Sequence, residues 1–263
     1  MLDKFRKAKQ AELDMLARMK AQTQAGGKMF TLYAGERLSF ANAIRRDENG
    51  LKVIAEYKRA SPSKGDINLG LSAADVAKMY AAGGASAISV LTEEEYFKGN
   101  LSYLDEIKPS GLPMLRKDFL TDLMQIEQTL ATPASALLII VRMFEDDGYL
   151  KEMIEQTHAA GLDAVVEAFD DIDLKRAKQA GARIIQINNR DLDNLSIDMN
   201  RSIEFIKLKE EGEIWICASG ISEPEDCAQM NELGYDTVLI GTSIMSSPDP
   251  QAKLAALVKG GRS

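Results

Sequence analysis

One histidine, two cysteines, one tryptophan and seven prolines in 263 residues close off several kinds of protein before any motif is read. Cys217 and Cys227 are too few for a disulfide framework, and they fall in a predicted strand and the helix after it, so both read as buried thiols. With His158 as the only histidine and neither cysteine at a ligand spacing, no transition-metal site is indicated. His158 lies near the C-terminal end of a predicted helix, where it meets the helix dipole, and histidine catalysis is set aside. The opening MLDKFRKAKQAELDMLARMK is charged throughout, with no apolar signal-peptide core, and no later run reaches the length of a membrane span. A soluble cytoplasmic protein is expected. Basic excess is missing too: 32 Lys and Arg against 40 Asp and Glu leave a formal net charge of −8. The molecule as a whole therefore repels nucleic acid and anionic membranes, and neither is an expected partner.

What is present is apolar content of 45%, enough for a sizeable core, in a length near that of one α/β barrel. Leu2, Phe5, Leu13 and Leu16 recur at roughly helical spacing with Gly26-Gly27 as a stop, which predicts an amphipathic helix ahead of the main domain. A second short helix is expected from an N-cap at Ser39 through Phe40, Ala43 and Ile44. From Lys52 on, short apolar runs alternate with helical segments: LKVIAEY, SAISVL, LPMLRK, SALLIIV, LDAVVEA, ARIIQIN, EIWICAS and DTVLIG. Near-continuous apolarity marks each as a strand buried on both faces. Capping boxes are expected at Ser72-Ala73-Ala74-Asp75 and Ser222-Glu223-Pro224-Glu225. A glycine turn recurs before several strands, in AAGGASAISV, AAGLDAVV, QAGARIIQI and ELGYDTVLI. Thr132-Pro133 replaces it before the fourth, predicting a differently shaped loop there. Met79, Met153 and Met230 read as helix packing. Eight strand–helix units with right-handed crossovers give an α/β fold, a (β/α)8 TIM barrel with an N-terminal helical extension. The whole chain, 1–263, is expected to be one barrel domain, with the extension at 1–50 and the barrel at 51–263. An open doubly wound sheet is the second choice, disfavoured because no GxGxxG follows the first strand.

Catalytic residues of such barrels collect at the C-terminal rim, and polar residues fall there strand after strand. Glu56 and Lys58 share one side of the first strand, with Ser61 just beyond; Lys117 ends the third, Glu167 the fifth, Asn188 and Arg190 the sixth. An exposed ion pair at a single strand end contributes little, so the coincidence across strands is the signal. Lys117 suits a general acid and Glu167 the matching base. Ala218-Ser219-Gly220 and Ile240-Gly241-Thr242-Ser243 end strands seven and eight, the two loops that often hold phosphate in barrels, and Lys58 or Lys64 would add charge.

Taken together, VIAEYKRASPSKG, SVLTEEEYFKGN, LRKDF, INNRDL, ASGIS and LIGTSIM resemble the indole-3-glycerol-phosphate synthase family of tryptophan biosynthesis. The likeness spans nearly the whole chain, including the helical extension. It implies a carbon-carbon lyase that converts 1-(2-carboxyphenylamino)-1-deoxyribulose 5-phosphate to indole-3-glycerol phosphate with loss of carbon dioxide and water. The implied catalytic residues are Lys117, Glu167, Glu56 and Lys58. Ser61, Pro62, Phe97, Leu138, Asn188, Arg190 and Leu192 are the implied substrate-binding residues, and Lys58, Ser219, Gly220, Gly241 and Thr242 the phosphate-binding ones. No cofactor and no metal are implied, and the partner is a small phosphorylated substrate on a monomer or weak homo-oligomer. One departure stands out: the family usually has Glu before the Ser-Gly of strand seven, and this chain has Ala218. A carboxylate there would help hold the lysines in their charged form, so its absence predicts a reduced rate or a shifted pH optimum. Two alternatives stay open. One is a Schiff-base aldolase or phosphosugar isomerase on the same barrel; the other is a weakened paralogue that only binds an aromatic phosphosugar.

Overall fold

The computed structural model describes residues 2–23, 27–191 and 194–262. Its eight barrel strands are β1 (Lys52–Tyr57), β2 (Ala87–Leu91), β3 (Met114–Lys117), β4 (Ala136–Ile140), β5 (Asp163–Ala168), β6 (Ile184–Asn188), β7 (Ile214–Ala218) and β8 (Thr237–Ile240). Each lies inside one of the eight apolar runs. All pair in parallel and close in the order β1-β8-β7-β6-β5-β4-β3-β2. Closure is visible at Ile54, which sits opposite Leu239 on one side and Ala87 on the other. The structure is thus the (β/α)8 barrel and not the open sheet. Helices outside and a packed interior leave every residue of β2, β4, β6 and β7 buried, which is why these runs carry no polar alternation.

The crossovers are α3 (Ala73–Ala82), α4 (Tyr103–Ile107), α5 (Leu123–Leu130), α6 (Asp147–Ala159), α7 (Asp171–Gln179), α8 (Asn200–Phe205) and α9 (Pro224–Leu233). A short α10 (Thr242–Met245) and α11 (Pro250–Gly260) follow β8. Ser72 caps α3, its Oγ accepting from the Asp75 N–H at 3.1 Å. The cap of α9 falls one residue later than expected. Glu223 is the N-cap and Pro224 takes the first helical position, where a fixed φ and a missing N–H cost nothing. Asp226 then collects the N–H groups of Ser222 and Glu223 at 2.8 and 2.9 Å. Gly84, Gly161, Gly181 and Gly234 take positive φ at the helix-to-strand turns. At Thr132-Pro133 the turn is different: Arg37 donates to the carbonyls of Leu130, Thr132 and Ala134 at 2.6, 2.8 and 3.0 Å. Cys217 and Cys227 are free and buried. Among the described residues no helix is long and apolar enough to cross a membrane.

Among the described residues two helices precede the barrel. Short α2 (Phe40–Ile44) is capped by Ser39, and its Ala41 N–H donates to Asp163 at the start of β5, placing it at the N-terminal end of the barrel. The first helix, α1 (Leu2–Gln22), runs as the periodicity predicts, although Gly26 of its expected stop lies outside the described residues. Its buried stripe holds Phe5 and Leu16, and between them Lys9 at 6% exposure. Lys9 is there because Asp118 meets it: Nζ lies 2.9 Å from Oδ1 and 3.0 Å from Oδ2, with Glu12 on its other side. Arg116, 1% exposed, completes the cluster through Glu12 at 3.4 Å, Gln128 at 2.7 Å and Thr129 at 2.9 Å. Arg116 and Asp118 flank Lys117, so the cluster bolts α1 to the strand end that carries the lysine.

Burial pushes the Asp118 carboxyl up, but Lys9 and Arg116 beside it outweigh that and hold it below its ordinary 3.8. Burial pulls Lys9 down, and Asp118 with Glu12 outweighs it, leaving Lys9 above its ordinary 10.5. A depressed carboxyl contributes stability above its unfolded value and loses it as pH falls through the folded one; a raised lysine contributes below its unfolded value and loses it as pH rises. The cluster's contribution is therefore expected to be constant between pH 3.8 and 10.5. Lys9→Met is expected to cost about 3 kcal/mol, since it strands a buried carboxylate. Lys9→Met with Asp118→Asn is expected to cost less than the sum of the single changes, which a double-mutant cycle by urea unfolding at neutral pH reads directly.

Candidate active site

The alternation of a parallel barrel points every second strand residue inward, and at the C-terminal end these side chains meet in one cavity. Thirteen of the residues singled out in the sequence line it: Glu56, Lys58, Ser61, Pro62, Phe97, Lys117, Glu167, Asn188, Arg190, Ser219, Gly220, Gly241 and Thr242. Among the described residues, Leu138 and Lys64 do not join them. Leu138 is in the core, 1% exposed, and its neighbour two residues on, Ile140, lines the cavity instead. The two share a face by alternation, so Leu138 belongs to the layer beneath. Leu192 lies outside the described residues. Lys64 is exposed on the hairpin Ala60–Ser61 and Gly65–Asp66 and is not part of the lining, which leaves Lys58 as the lysine of that loop side.

The cationic side is built on Glu56. This residue is 3% exposed; Lys58 Nζ lies 2.8 Å from its Oε1 and Lys117 Nζ 3.9 Å from its Oε2, with Ser89 Oγ at 3.5 Å. Burial pushes the carboxyl up, yet Lys58 and Lys117 together outweigh it and hold Glu56 below its ordinary value. The charge pair of β1 thus faces inward, which the sequence left open.

Opposite stands Glu167, also 3% exposed, held by amides instead of cations. Asn188 Nδ2 donates to its Oε1 at 3.1 Å and Gln186 Nε2 donates to its Oε2. Asn188 is oriented in turn, because its Oδ1 accepts from Ser219 Oγ at 2.9 Å and from the Arg190 N–H at 3.0 Å. Arg190 reaches the Leu195 carbonyl at 2.9 Å, and burial draws its guanidinium below the usual value against the pull of Glu56. Among the described residues the lining carries three cations, Lys58, Lys117 and Arg190, against two carboxylates, a local positive excess on a chain of net charge −8. Such a site favours an anionic ligand.

At the ends of β7 and β8 the backbone approaches closely. Ser219 and Gly220 have φ of 68° and 94°, a left-handed pair that turns the loop back over the cavity. A Cβ on Gly241 would sit 2.4 Å from Glu56 Oε1 and 3.1 Å from its Cβ, so only glycine leaves room for the carboxylate. Gly241 caps α10, whose first N–H groups have no helical acceptor, and Ser243 Oγ is buried there without a partner. The far wall is aromatic. Phe5 stacks on Phe119 with centroids 4.0 Å apart, and Phe97 stands 6.1 Å from Phe119. Phe97 is fixed by the buried Glu93 carboxylate, which accepts the N–H groups of Glu95, Tyr96 and Phe97 at 3.1, 2.8 and 3.0 Å.

Several lining residues were missed in the sequence. Gln186 had a signal, a polar residue two positions before Asn188 in an otherwise apolar strand. Ser243 followed directly on Thr242. Phe5 had none, since nothing local shows that a residue in the first helix reaches the barrel mouth. Ala218 lines the cavity where the family resemblance predicts a carboxylate.

A family model described as indole-3-glycerol phosphate synthase matches residues 2–257. The chain is 38% identical over 241 residues to the indole-3-glycerol phosphate synthase of Exiguobacterium sibiricum, covering 90% of this chain and 93% of that one. It is 44% identical over 212 residues to that of Aquifex aeolicus, with 80% and 82% covered, and 36% identical over 259 residues to that of Thermoanaerobacter pseudethanolicus, with 98% and 97% covered. Among solved structures, 3-hexulose-6-phosphate synthase from Salmonella typhimurium matches with a TM-score of 0.64 at 16% identity, over 80% of this chain and 98% of that one. At that identity the likeness concerns the fold alone.

The contact at Gly241 yields a stability test. Gly241→Ala is expected to cost about 1–3 kcal/mol through overpacking against Glu56. Adding Glu56→Ala is expected to remove much of that penalty; thermal or urea unfolding of the three variants measures it.

Proposed function

The chain belongs to the indole-3-glycerol phosphate synthase family, and on that premise we propose how its rim residues divide the work. The reaction is that of a carboxy-lyase in tryptophan biosynthesis: 1-(2-carboxyphenylamino)-1-deoxyribulose 5-phosphate closes to indole-3-glycerol phosphate, releasing carbon dioxide and water. The observation that carries the assignment is the presence of Lys117 and Glu167 in one cavity, the first beside a buried carboxylate and the second held by neutral amides.

Lys117 protonates the ketone oxygen of the substrate, which makes its carbon electrophilic toward the electron-rich ring. The ring carbon bearing the carboxylate attacks, the bond to the carboxylate breaks, and its electron pair restores aromaticity as carbon dioxide leaves. Glu167 then takes a proton from the carbon beside the nitrogen. The hydroxyl departs as water with a proton from Lys58, and the indole double bond forms. Two protons are given and one is taken, matching the net uptake of one proton when a carboxylate leaves as carbon dioxide. Each general acid or base step of this kind contributes roughly two to four orders of magnitude in rate.

Glu56 orients both lysines through its two ion pairs. Its carboxyl is depressed, so its pairs persist above the ordinary 4.5 and are lost only as pH falls below it. Asn188 and Arg190 lie against the anthranilate carboxylate, with Ser61, Pro62 and Phe97 shaping the aromatic pocket. Ser219, Gly220, Gly241 and Thr242, with Lys58, hold the phosphate, and the unpartnered Ser243 hydroxyl suits an additional donor to it.

A fluorescence assay of indole-3-glycerol phosphate formation tests the assignment. The parent protein is expected to turn over, and Lys117→Met is expected to lose at least two orders of magnitude in kcat. Turnover by Lys117→Met at the parent rate would remove Lys117 from the mechanism. Ala218→Glu restores the carboxylate that the family resemblance leads one to expect, and it is expected to raise kcat and move the pH–rate profile. An unchanged profile would show that position 218 has no part in it.

A further inference from the structure

Gln186 stands in the middle of β6, two residues before Asn188 on the same face and in register with Glu167. It is 0% exposed and lines the cavity. Its Nε2 donates to Glu167 Oε2, and this sets the orientation of the amide, since the reverse would put two acceptors together. The other end of the amide is then left over: Oε1 is buried and has no hydrogen-bond partner in the protein. Buried acceptors in native interiors are nearly always satisfied, so one left over on a residue that lines a ligand cavity points to a donor brought by the ligand. Ala218, whose side chain is a methyl group, lines the same cavity and offers no donor.

We propose that Gln186 contacts the substrate, its Oε1 accepting a hydrogen bond from an N–H or O–H donor of the aminodeoxyribulose chain while its N–H group holds Glu167. This rests on the function proposed above and extends it. The substrate has the required groups, the anilino N–H on the carbon from which Glu167 takes its proton and the hydroxyls beyond the ketone. A single amide bonded to both the base and the substrate fixes their relative position, so the contact bears on the dehydration step as well as on binding.

Gln186→Met keeps the length of the side chain and removes both donor and acceptor. Its kcat/KM is expected to fall ten- to a hundredfold, and its Kd for indole-3-glycerol phosphate to rise about tenfold, the value of one hydrogen bond. Gln186→Glu keeps an acceptor but sets a second carboxylate beside Glu167. Its acid limb is expected to move to higher pH, because adjacent carboxylates resist ionising together, a displacement that a purely structural residue would not produce. A Met variant that folds and stays within twofold of the parent in kcat/KM and Kd overturns the proposal. If that variant does not fold, the Glu variant decides: a pH profile superimposable on the parent's overturns the proposal equally. A parent protein without turnover overturns the proposed function and this inference together, whereas an active parent beside an unimpaired variant overturns the inference alone.

Discussion

Glu56 is a carboxylate that the barrel has taken out of water, 3% exposed, and four strands converge on keeping it charged. From β1 itself comes the chain that continues to Lys58; β2 supplies Ser89, β3 supplies Lys117, and β8 ends in the glycine whose missing side chain leaves the space. Even the backbone of Glu56 is engaged, its carbonyl accepting from the buried Tyr80 hydroxyl at 2.9 Å. Removing a carboxylate from solvent is expensive unless cations replace the water, and here the cations that do so are the two lysines assigned to proton transfer. Stability of the rim and orientation of the acid are the same interaction.

The second carboxylate is treated differently. Glu167 is held by the amides of Gln186 and Asn188, which orient it without neutralising it. Carboxylates placed in contrasting surroundings take on contrasting tasks: Glu56 remains a fixed counter-ion, and Glu167 is the one left to exchange a proton. The family resemblance leads one to expect a third carboxylate at 218, on the same wall as Asn188, with which Ala218 is in register. With alanine there, the side chains that meet Glu167 from β6 are the amides of Gln186 and Asn188, the latter held in turn by the Ser219 hydroxyl.

The barrel was legible because its strands are buried on both faces: apolar runs such as SALLIIV and ARIIQIN cannot belong to a half-exposed sheet, and their number gave the closure. The rim was legible for a related reason, since charged residues at the ends of such runs have few other places to go. What could not be read depends on tertiary geometry. Whether Glu56 and Lys58 point in or out is a two-fold choice that alternation leaves undecided. Leu138 and Ile140 share a face, so sequence alone does not say which of the two layers reaches the cavity. The α9 cap moved by one residue because Pro224 and Asp226 together outweigh the hydroxyl of Ser222. Nothing in the sequence marks Lys9, in the buried stripe of α1, as a buried charge, because its partner is 109 residues away.

That separation gives the chain a history as well as a shape. Helix α1 contributes Phe5 to the cavity wall and Lys9 to the cluster beside Lys117, yet the Asp118 that Lys9 docks on follows 109 positions later. At the pace of a ribosome, about 5–20 residues per second, the helix waits roughly 5 to 20 s before its seat exists. Over that interval Phe5 and Leu16 have no barrel to cover them, and the charges of α1 are what keep the waiting segment in solution.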